Sequence, residues 1–323
     1  MSTAAPPPAP GPQGGEAGSV GTTAPPVVAV VVTRNAGAFL EEALAALGAQ
    51  TYPALTVLVV DAGSRSDPTT RVGSALPEAF VRRVSGDPGF GGAANEALPA
   101  VDGATFLLLC HDDVALDPDA VQVMVGEAYR SNAAIVGPKL VAADNPDTLL
   151  DVGRAIDRLG GSHTGIEPGE VDQEQHDGVR DVFYVSSAAR VVRADLFREL
   201  GGFDPDTFPG SEDLDLCWRA RLAGARVMVA PDARGRHHEA AGMRAGGDSP
   251  DVRDVARTRV RVILTCYSKT TLLWVVPLGL VAAFVEAILF LPTRRRRAAG
   301  AGFRAWWWNF LHFGHVRRAR RDA

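Results

Sequence analysis

The sequence predicts an α/β protein with a mostly parallel, Rossmann-like sheet, followed by a C-terminal membrane-associated helical segment. The first observation is Val27 to Thr33, a continuous apolar, β-branched run that is typical of a strand covered on both faces. The second is the alternation of strand and helix patterns that follows, up to Tyr129, which favours parallel strands joined by crossover helices. The third is Thr270 to Pro292, which is apolar except for Glu286 and, at ~1.5 Å per residue, long enough to cross a ~30 Å hydrocarbon layer.

The remaining elements follow from local patterns. Apolar side chains at helical spacing predict helices over 38–47, over 92–98 after a glycine turn, and over 118–129 with Asp117 as N-cap. Short apolar runs predict strands over 55–60, 80–84 and 105–109. After a polar, glycine-rich region over 144–181, the chain returns to an apolar segment over 182–192 and a short helix over 195–200. Ligands bind at the carboxyl ends of parallel strands, where Asp61 and Asp113 are expected.

Charge is distributed unevenly along the 323 residues. From Arg294 to the C-terminus there are nine Arg and one Asp, which leaves a net charge of −13 on the preceding residues. An acidic body argues against nucleic-acid binding, and a basic tail favours an anionic membrane surface. The aromatic, basic segment from Phe303 to Val316 is typical of the membrane interface.

Three regions are predicted. Residues 1–26 form a disordered leader rich in Pro, Ala and Gly, without the basic and apolar regions of a secretory signal. Residues 27–262 form the α/β domain, and residues 263–323 form the membrane-associated segment. The three cysteines lack pair spacing, so buried free thiols are expected rather than a disulfide.

Two segments bear residues suited to chemistry. Glu212 and Asp213 stand at the expected start of an amphipathic helix with Ser211 as N-cap, and a short apolar strand then leads to His237-His238. The other segment, Cys110-His111-Asp112-Asp113-Val114, follows an apolar run directly. A carboxylate that can take a proton and an imidazole that can bind a metal suggest a metal-assisted transfer site. Two plainer interpretations stay open, in which the acidic pair complements the helix dipole and the histidines lie on the surface.

Six segments, in this order and at these spacings, resemble the inverting family 2 glycosyltransferases of the GT-A fold, among them rhamnosyl- and galactofuranosyl-transferring cell-envelope enzymes. They are VVAVVVTRNAG (27–37), VLVVDAGSRSDPT (57–69), GDPGFGGAANEAL (86–98), FLLLCHDDVALDPDA (106–120), VSSAARVVRADLFRELGGFD (185–204) and GGFDPDTFPGSEDLDLCWRARLAGARVMVAPDARGRHH (201–238).

The resemblance implies a donor site for a nucleotide sugar. Thr33, Asn35 and Asp61 match the positions that hold base and ribose, although Asp61 is also a plausible strand-end turn residue. Gly91 belongs to a glycine turn that lets backbone approach an anionic ligand, and Asn95 matches a family position on the helix that follows.

The resemblance also implies a metal and a base. His111-Asp112-Asp113 resembles the family's D-x-D motif with His in the first position. Asp113 is implied as direct ligand, His111 and His237 as further ligands, and Asp112 as a contact to the ribose or sugar. The cation is Mn²⁺ or Mg²⁺, and imidazole favours Mn²⁺. Asp213, with Glu212 beside it, matches the general base that takes the acceptor hydroxyl's proton. Trp218 is expected in the core and Arg219 at the surface.

The sequence thus predicts a glycosyltransferase on the cytoplasmic face of the cell membrane, with a nucleotide-sugar donor and a glycan or lipid-linked acceptor. Two alternatives stay open: a nucleotidyltransferase that makes such donors, and an inactive membrane scaffold, which His111 in place of Asp keeps in view. Topology also stays open. One spanning helix would place Arg294 to Arg297 outside, against the positive-inside tendency, whereas a helical hairpin, an in-plane helix or a longer multi-span protein would not.

Overall fold

The computed structural model describes residues 24–100, 102–205, 212–239, 252–290 and 300–322. Residues 1–23 of the predicted leader, the predicted N-cap Ser211 and the arginines 294–297 lie outside the described residues. The described strands are β1 (Val27–Thr33), β2 (Leu55–Ala62), β3 (Phe80–Val84), β4 (Phe106–His111), β5 (Val114–Leu116), β6 (Ala133–Ala142), β7 (Leu149–Asp151), β8 (Ala155–Ile156), β9 (Ser162–His163), β10 (Arg180–Asp181), β11 (Ala189–Arg193) and β12 (Arg226–His237).

The described helices connect and cover these strands. They are α1 (Leu40–Gly48), α2 (Thr69–Ala75), α3 (Gly89–Asn95), α4 (Ala120–Arg130), α5 (Ala194–Glu199), α6 (Glu212–Leu222), α7 (Val252–Cys266), α8 (Lys269–Phe290), α9 (Ala301–Leu311) and α10 (Phe313–Asp322).

The central sheet has the order β10-β12-β6-β11-β4-β1-β2-β3. Strands β3, β2, β1 and β4 are parallel, β11 runs antiparallel between β4 and β6, and β6 pairs with β12 in parallel. Six strands of the described sheet therefore point the same way, which confirms the mostly parallel α/β prediction. Their carboxyl ends gather at one edge, because Thr33 pairs with Asp61 and Val32 pairs with His111.

Apolar side chains pack on both faces of the sheet. One layer contains Val30, Leu107 and Leu109 beneath α3 and α6, and the other contains Val31, Leu108 and Cys110 beneath α1 and α4. This alternation along β1 and β4 follows from the two-residue period of a strand. Cys110, Cys217 and Cys266 are buried and free, as predicted.

Two local predictions were wrong. Helix α4 has Asp119 rather than Asp117 at its N-cap and no side-chain cap hydrogen bond. The Asp117 backbone carbonyl accepts a hydrogen bond from the side chain of Gln50. Arg219, expected at the surface, is 5% exposed because Asp215 on the preceding turn neutralises it at 2.7 Å.

Helix α7 packs against the α/β domain and links it to the C-terminal helices. Arg261 Nη2 donates to Asp204 at 2.6 Å, and the Trp218 and Tyr267 rings meet edge to face at 5.0 Å. The predicted domain boundary after residue 262 falls inside α7 and stays a prediction. Among the described residues one helix, over Lys269–Leu289, is long and apolar enough to cross a membrane, and 11% of its apolar window is buried.

Candidate active site

Three potential metal ligands converge at the carboxyl ends of β4 and β12. The ligand atoms of His111, Asp113 and His237 all lie within 4.8 Å of one another. His237 Nε2 lies 3.4 Å from Asp113 Oδ1, and His111 Nδ1 lies 3.9 Å from the same oxygen. The topology produces this cluster, because β5, which begins one residue after Asp113, pairs antiparallel with the end of β12.

The cluster fits a divalent cation. His237 Nε2 is buried and makes no hydrogen bond to the described residues. Burial lowers the pKa of His111 to about 4, although the adjacent Asp113 carboxylate acts in the opposite direction. The His111 ring is therefore neutral near pH 7, as a metal ligand must be. Two imidazoles and one carboxylate suit Mn²⁺ better than Mg²⁺, which prefers oxygen ligands.

Asp112, the middle residue of the motif, is oriented by the end of β1. Thr33 Oγ1 donates to Asp112 Oδ2 at 2.5 Å, and both residues are almost fully buried. Thr33 was predicted to contact the donor; the structure places it against Asp112, which lines the neighbouring cleft. Its own contact with a nucleoside stays a prediction.

Asn35 lies in the bend that follows β1, and Asp61 is the last residue but one of the neighbouring strand β2. Asn35 has φ of +50°, and its backbone N–H donates to Ser64 Oγ at 2.7 Å. Asp61 is fully buried and accepts hydrogen bonds from Ser64 N at 3.0 Å and Arg83 Nε at 2.8 Å. Asn35 borders the cleft, whereas the carboxylate of Asp61 organises the turn beneath it. Nucleoside binding by either residue stays a prediction.

A cleft of about 440 Å³ opens between these strand ends and α3. Arg34 and Asp87, which pair at 2.8 Å, stand at the cleft together with Phe90. Phe90 meets the ring of His111 edge to face at 4.7 Å, so one wall of the cleft contacts the ligand cluster directly. The volume lies within the usual range for small-molecule sites.

Gly91 and Asn95 fasten α3 to the turn after α5. A Cβ on Gly91 would lie 3.0 Å from Phe203 Cβ, so a larger residue there would fit only if Phe203 moved slightly away. Asn95 Nδ2 donates to the Phe203 carbonyl, and the Phe203 N–H donates to Asn95 Oδ1, both at 2.8 Å. Both residues were predicted to bind donor; the structure places them against Phe203, and contact with the donor stays a prediction.

The acidic pair stands at the start of α6. Asp213 Oδ1 accepts from the Leu214 N–H at 3.0 Å, and Oδ2 accepts from the Ser187 N–H at 3.3 Å. The next residue, Ala188, accepts a hydrogen bond from the His111 N–H at 2.9 Å, so Asp213 lies two short links from the ligand cluster. Glu212 is buried with its Cβ facing α3 near Gly91.

Sequence reasoning missed Arg190 as a member of this region. It is fully buried in the apolar strand β11; its Nη1 donates to the Val185 carbonyl, and its Nε and Nη2 make no hydrogen bond to described residues. The guanidinium lies 5.3 Å from the centre of the Phe203 ring, and its charge acts with burial to lower the pKa of His111. A buried cation is costly. An arginine set between the apolar residues Ala189 and Val191 was the available signal.

The model of the family described as glycosyltransferase like family 2 matches residues 25–271. This chain belongs to glycosyltransferase family 2. The match spans every residue of the candidate site and confirms the predicted family and class of enzyme.

The curated relatives differ in length and coverage. The pre-mycofactocin glycosyltransferase of Mycobacterium tuberculosis is 32% identical over 149 residues, which are 43% of this chain and 30% of that protein. The N-acetylglucosaminyl-diphospho-decaprenol L-rhamnosyltransferase of the same species is 27% identical over 67% of this chain and 76% of its own length. The O-antigen chain rhamnosyltransferase RfbN of Salmonella typhimurium is 30% identical, with coverages of 65% and 66%. The chain thus spans less than a third of the pre-mycofactocin enzyme.

Solved structures confirm the GT-A fold. GalNAc-T7 with UDP, GalNAc and Mn²⁺ superposes with a TM-score of 0.62 at 14% identity, over 82% of this chain and 51% of that one. S. aureus TarS 1-349 in complex with UDP gives a TM-score of 0.51 at 17% identity, over 84% and 73%. At these identities the likeness concerns the fold alone.

Proposed function

We propose that this glycosyltransferase is an inverting, metal-assisted enzyme that moves a sugar from a nucleotide-diphosphate donor to the hydroxyl of a cell-envelope glycan or lipid-linked acceptor. The observation that supports this most directly is the convergence of His111, Asp113 and His237 beside the 440 Å³ cleft, with Asp213 two links away through Ser187 and Ala188.

In the proposed reaction the Asp213 carboxylate takes the proton of the acceptor hydroxyl. The hydroxyl oxygen then forms a bond to the anomeric carbon of the donor, and the bond from that carbon to the diphosphate oxygen breaks on the opposite face. The leaving diphosphate keeps the electron pair, and the anomeric configuration inverts. The two backbone N–H groups that Asp213 accepts from hold the carboxylate in one orientation.

His111, Asp113 and His237 would hold the cation, and a bound divalent cation would offset negative charge on the departing diphosphate. Asp112, fixed by Thr33, would accept a hydrogen bond from a donor hydroxyl at the cleft. Asn35 and Asp61 would serve the nucleoside end, because Asn35 and Ala62, the residue after Asp61, line the same cleft.

The names of the relatives favour a deoxyhexose donor and an envelope acceptor. Two of them are rhamnosyltransferases, and one of these acts on a diphospho-decaprenol. Together with the apolar helix α8, this supports a lipid-linked acceptor and a place at the cell membrane. The cytoplasmic face of that membrane is part of the proposal.

A donor panel tests the proposal. The full chain is incubated with UDP-, GDP- and dTDP-sugars, a polyprenyl-diphosphate glycan acceptor, and Mn²⁺ or Mg²⁺, and the products are read by mass spectrometry. We expect nucleoside diphosphate and an elongated acceptor of inverted anomeric configuration. Release of pyrophosphate, or retention of configuration, would refute the assignment.

A matched pair of variants tests the cation site. His237→Ala should weaken Mn²⁺ binding by roughly tenfold or more, because one of three ligands is lost. His238→Ala is the control, since its ring stacks on Phe39 at 3.8 Å and its Nε2 lies 2.9 Å from Glu42. Equal Mn²⁺ affinity of the two variants in a calorimetric titration would overturn the ligand assignment.

A further inference from the structure

We infer that α8 and α9 form a hairpin that lies in the membrane leaflet nearest the catalytic domain and does not cross the bilayer, so that both helices and their connection are reached from that face. The inference does not depend on the proposed reaction, because it concerns the C-terminal helices alone.

Contacts between α8 and α9 show that the chain turns back. A Cβ on Gly302 would lie 2.9 Å from Ala283 Cβ, and a Cβ on Gly279 would lie 2.7 Å from the ring of Trp306. As the residue number falls along α8, it rises along α9, so the two helices are antiparallel. Small residues at both contacts allow this close approach.

The returning chain is tied to the catalytic domain through α7. Asn309 is fully buried, and its Nδ2 donates to the Arg257 carbonyl at 3.0 Å. Arg320 Nη1 donates to the carbonyls of Leu264 and Tyr267, at 2.7 and 2.9 Å, at the end of α7. A single crossing by α8 would put α9 and α10 on the side opposite α7, which these bonds exclude.

Length and charge argue against a second crossing. Helix α9 has 11 residues and is therefore ~16 Å long, about half of a ~30 Å hydrocarbon layer. If α8 stood upright, its contacts would place the exposed Arg304 level with Val281, about 18 Å beyond the start of α8. A charged side chain is costly to place near the bilayer centre. A hairpin lying in one leaflet leaves Arg304 within reach of its headgroup layer, and it does not require the four consecutive arginines that follow α8 in the sequence to cross the bilayer.

The apolar surface of the hairpin fits lipid. Phe284 and Phe303 are 56% and 41% exposed and touch each other edge to face at 6.3 Å, so the apolar faces of the two helices join. Further exposed apolar side chains continue this surface in both directions: Leu273, Trp274, Leu278, Val281, Ile288, Leu289, Trp307, Phe310 and Leu311. The arginines of the C-terminal segment complement anionic lipid headgroups, so we assign a lipid bilayer as the partner of this apolar surface.

Cysteine accessibility tests the topology. The three native cysteines are buried, so single added cysteines can be labelled selectively. Asp102→Cys, in an exposed turn, marks the face of the catalytic domain; Ala298→Cys marks the connection between α8 and α9; and Arg318→Cys marks the exposed side of α10. Each full-length variant is expressed in cells. Intact cells, inverted membrane vesicles and detergent-solubilised membranes are then treated with a membrane-impermeant maleimide.

We expect all three variants to be labelled from one and the same face. Labelling of the Ala298→Cys variant from the face opposite to that of the Asp102→Cys variant, or only after detergent, would overturn the hairpin, because the connection would then lie across or within the bilayer. Recovery of the full chain as a water-soluble dimer would also overturn it, since a second copy would then cover the apolar surface. The Asp102→Cys protein, which should keep wild-type far-UV circular dichroism, controls for folding.

Discussion

Replacing Asp213 by Asn should remove the base and disturb little else. The two side chains have nearly the same shape, but an amide has one oxygen where the carboxylate has two. It can accept from Ser187 or from Leu214, not from both, and should cost about 1–2 kcal/mol of folding stability for the lost partner. The loss of basicity should lower kcat by roughly 10²–10⁴, equivalent to about 3–5 kcal/mol in the barrier.

The assay is nucleoside-diphosphate release with an accepted donor, combined with calorimetric affinity for the same nucleoside diphosphate and a thermal melt. We expect the affinity to stay within threefold, since Asp213 lies on α6 and outside the residues that line the cleft. Glu212→Gln is the matched control; it makes the same chemical change one residue earlier and should lower kcat less than tenfold. Turnover of Asp213→Asn above one tenth of wild type would refute the assignment of the base.

Three further results are expected. Asn95→Ala removes both hydrogen bonds to the Phe203 backbone and should destabilise the fold by roughly 2–3 kcal/mol in denaturant titrations, whereas Asn95→Asp keeps one acceptor and should lose about half as much. Arg190→Met should leave the thermal midpoint unchanged or higher, because a buried, poorly satisfied cation is removed, and should lower kcat at least tenfold; an unchanged kcat would mean that Arg190 serves packing alone. Stability should fall as the pH drops from 6.5 towards 4, since the unfolded His111 takes up a proton in that window and the folded ring does not. Because 23% of the His111 side chain is exposed and solvent screens part of the effect, we expect the free energy of unfolding to fall by about 2 kcal/mol over this range. Urea titrations at each pH measure it, and His111→Gln should make the free energy of unfolding depend less on pH.

Much of the sheet was predictable because strand burial leaves a local signal. The β-branched run of β1, the carboxylate near the end of β2 and the carboxylates after β4 are each visible in a short stretch of sequence, and parallel pairing brings those strand ends together. The direction of β11 was not predictable in the same way. A strand buried on both faces shows the same apolar run whichever way it points, so its antiparallel place between β4 and β6 depends on the whole chain.

The candidate site likewise contains residues that a local sequence pattern predicts and residues that no local pattern predicts. His111, Asp113 and His237 stand at strand ends within recognisable segments, and the structure brings them together. The partner of Asn95 is 108 residues away in sequence, and no local pattern connects the two. Arg190 lies in a strand whose first four residues are all buried, so its burial follows from the place of β11 inside the sheet and not from the character of its side chain.

The bond between Arg261 and Asp204 has a practical consequence for anyone who wants a water-soluble version of this enzyme. Asp204 directly follows Phe203, whose backbone is hydrogen-bonded to Asn95 of α3. Helix α7, the last helix before the hairpin, is therefore attached to the part of the catalytic domain that packs against α3. Ending the chain before α7 would remove Arg261, and the segment around Phe203 and Asp204 would lose this contact. Ending the chain just after Tyr267 should remove the apolar hairpin of α8 and α9 and keep the bond between Arg261 and Asp204.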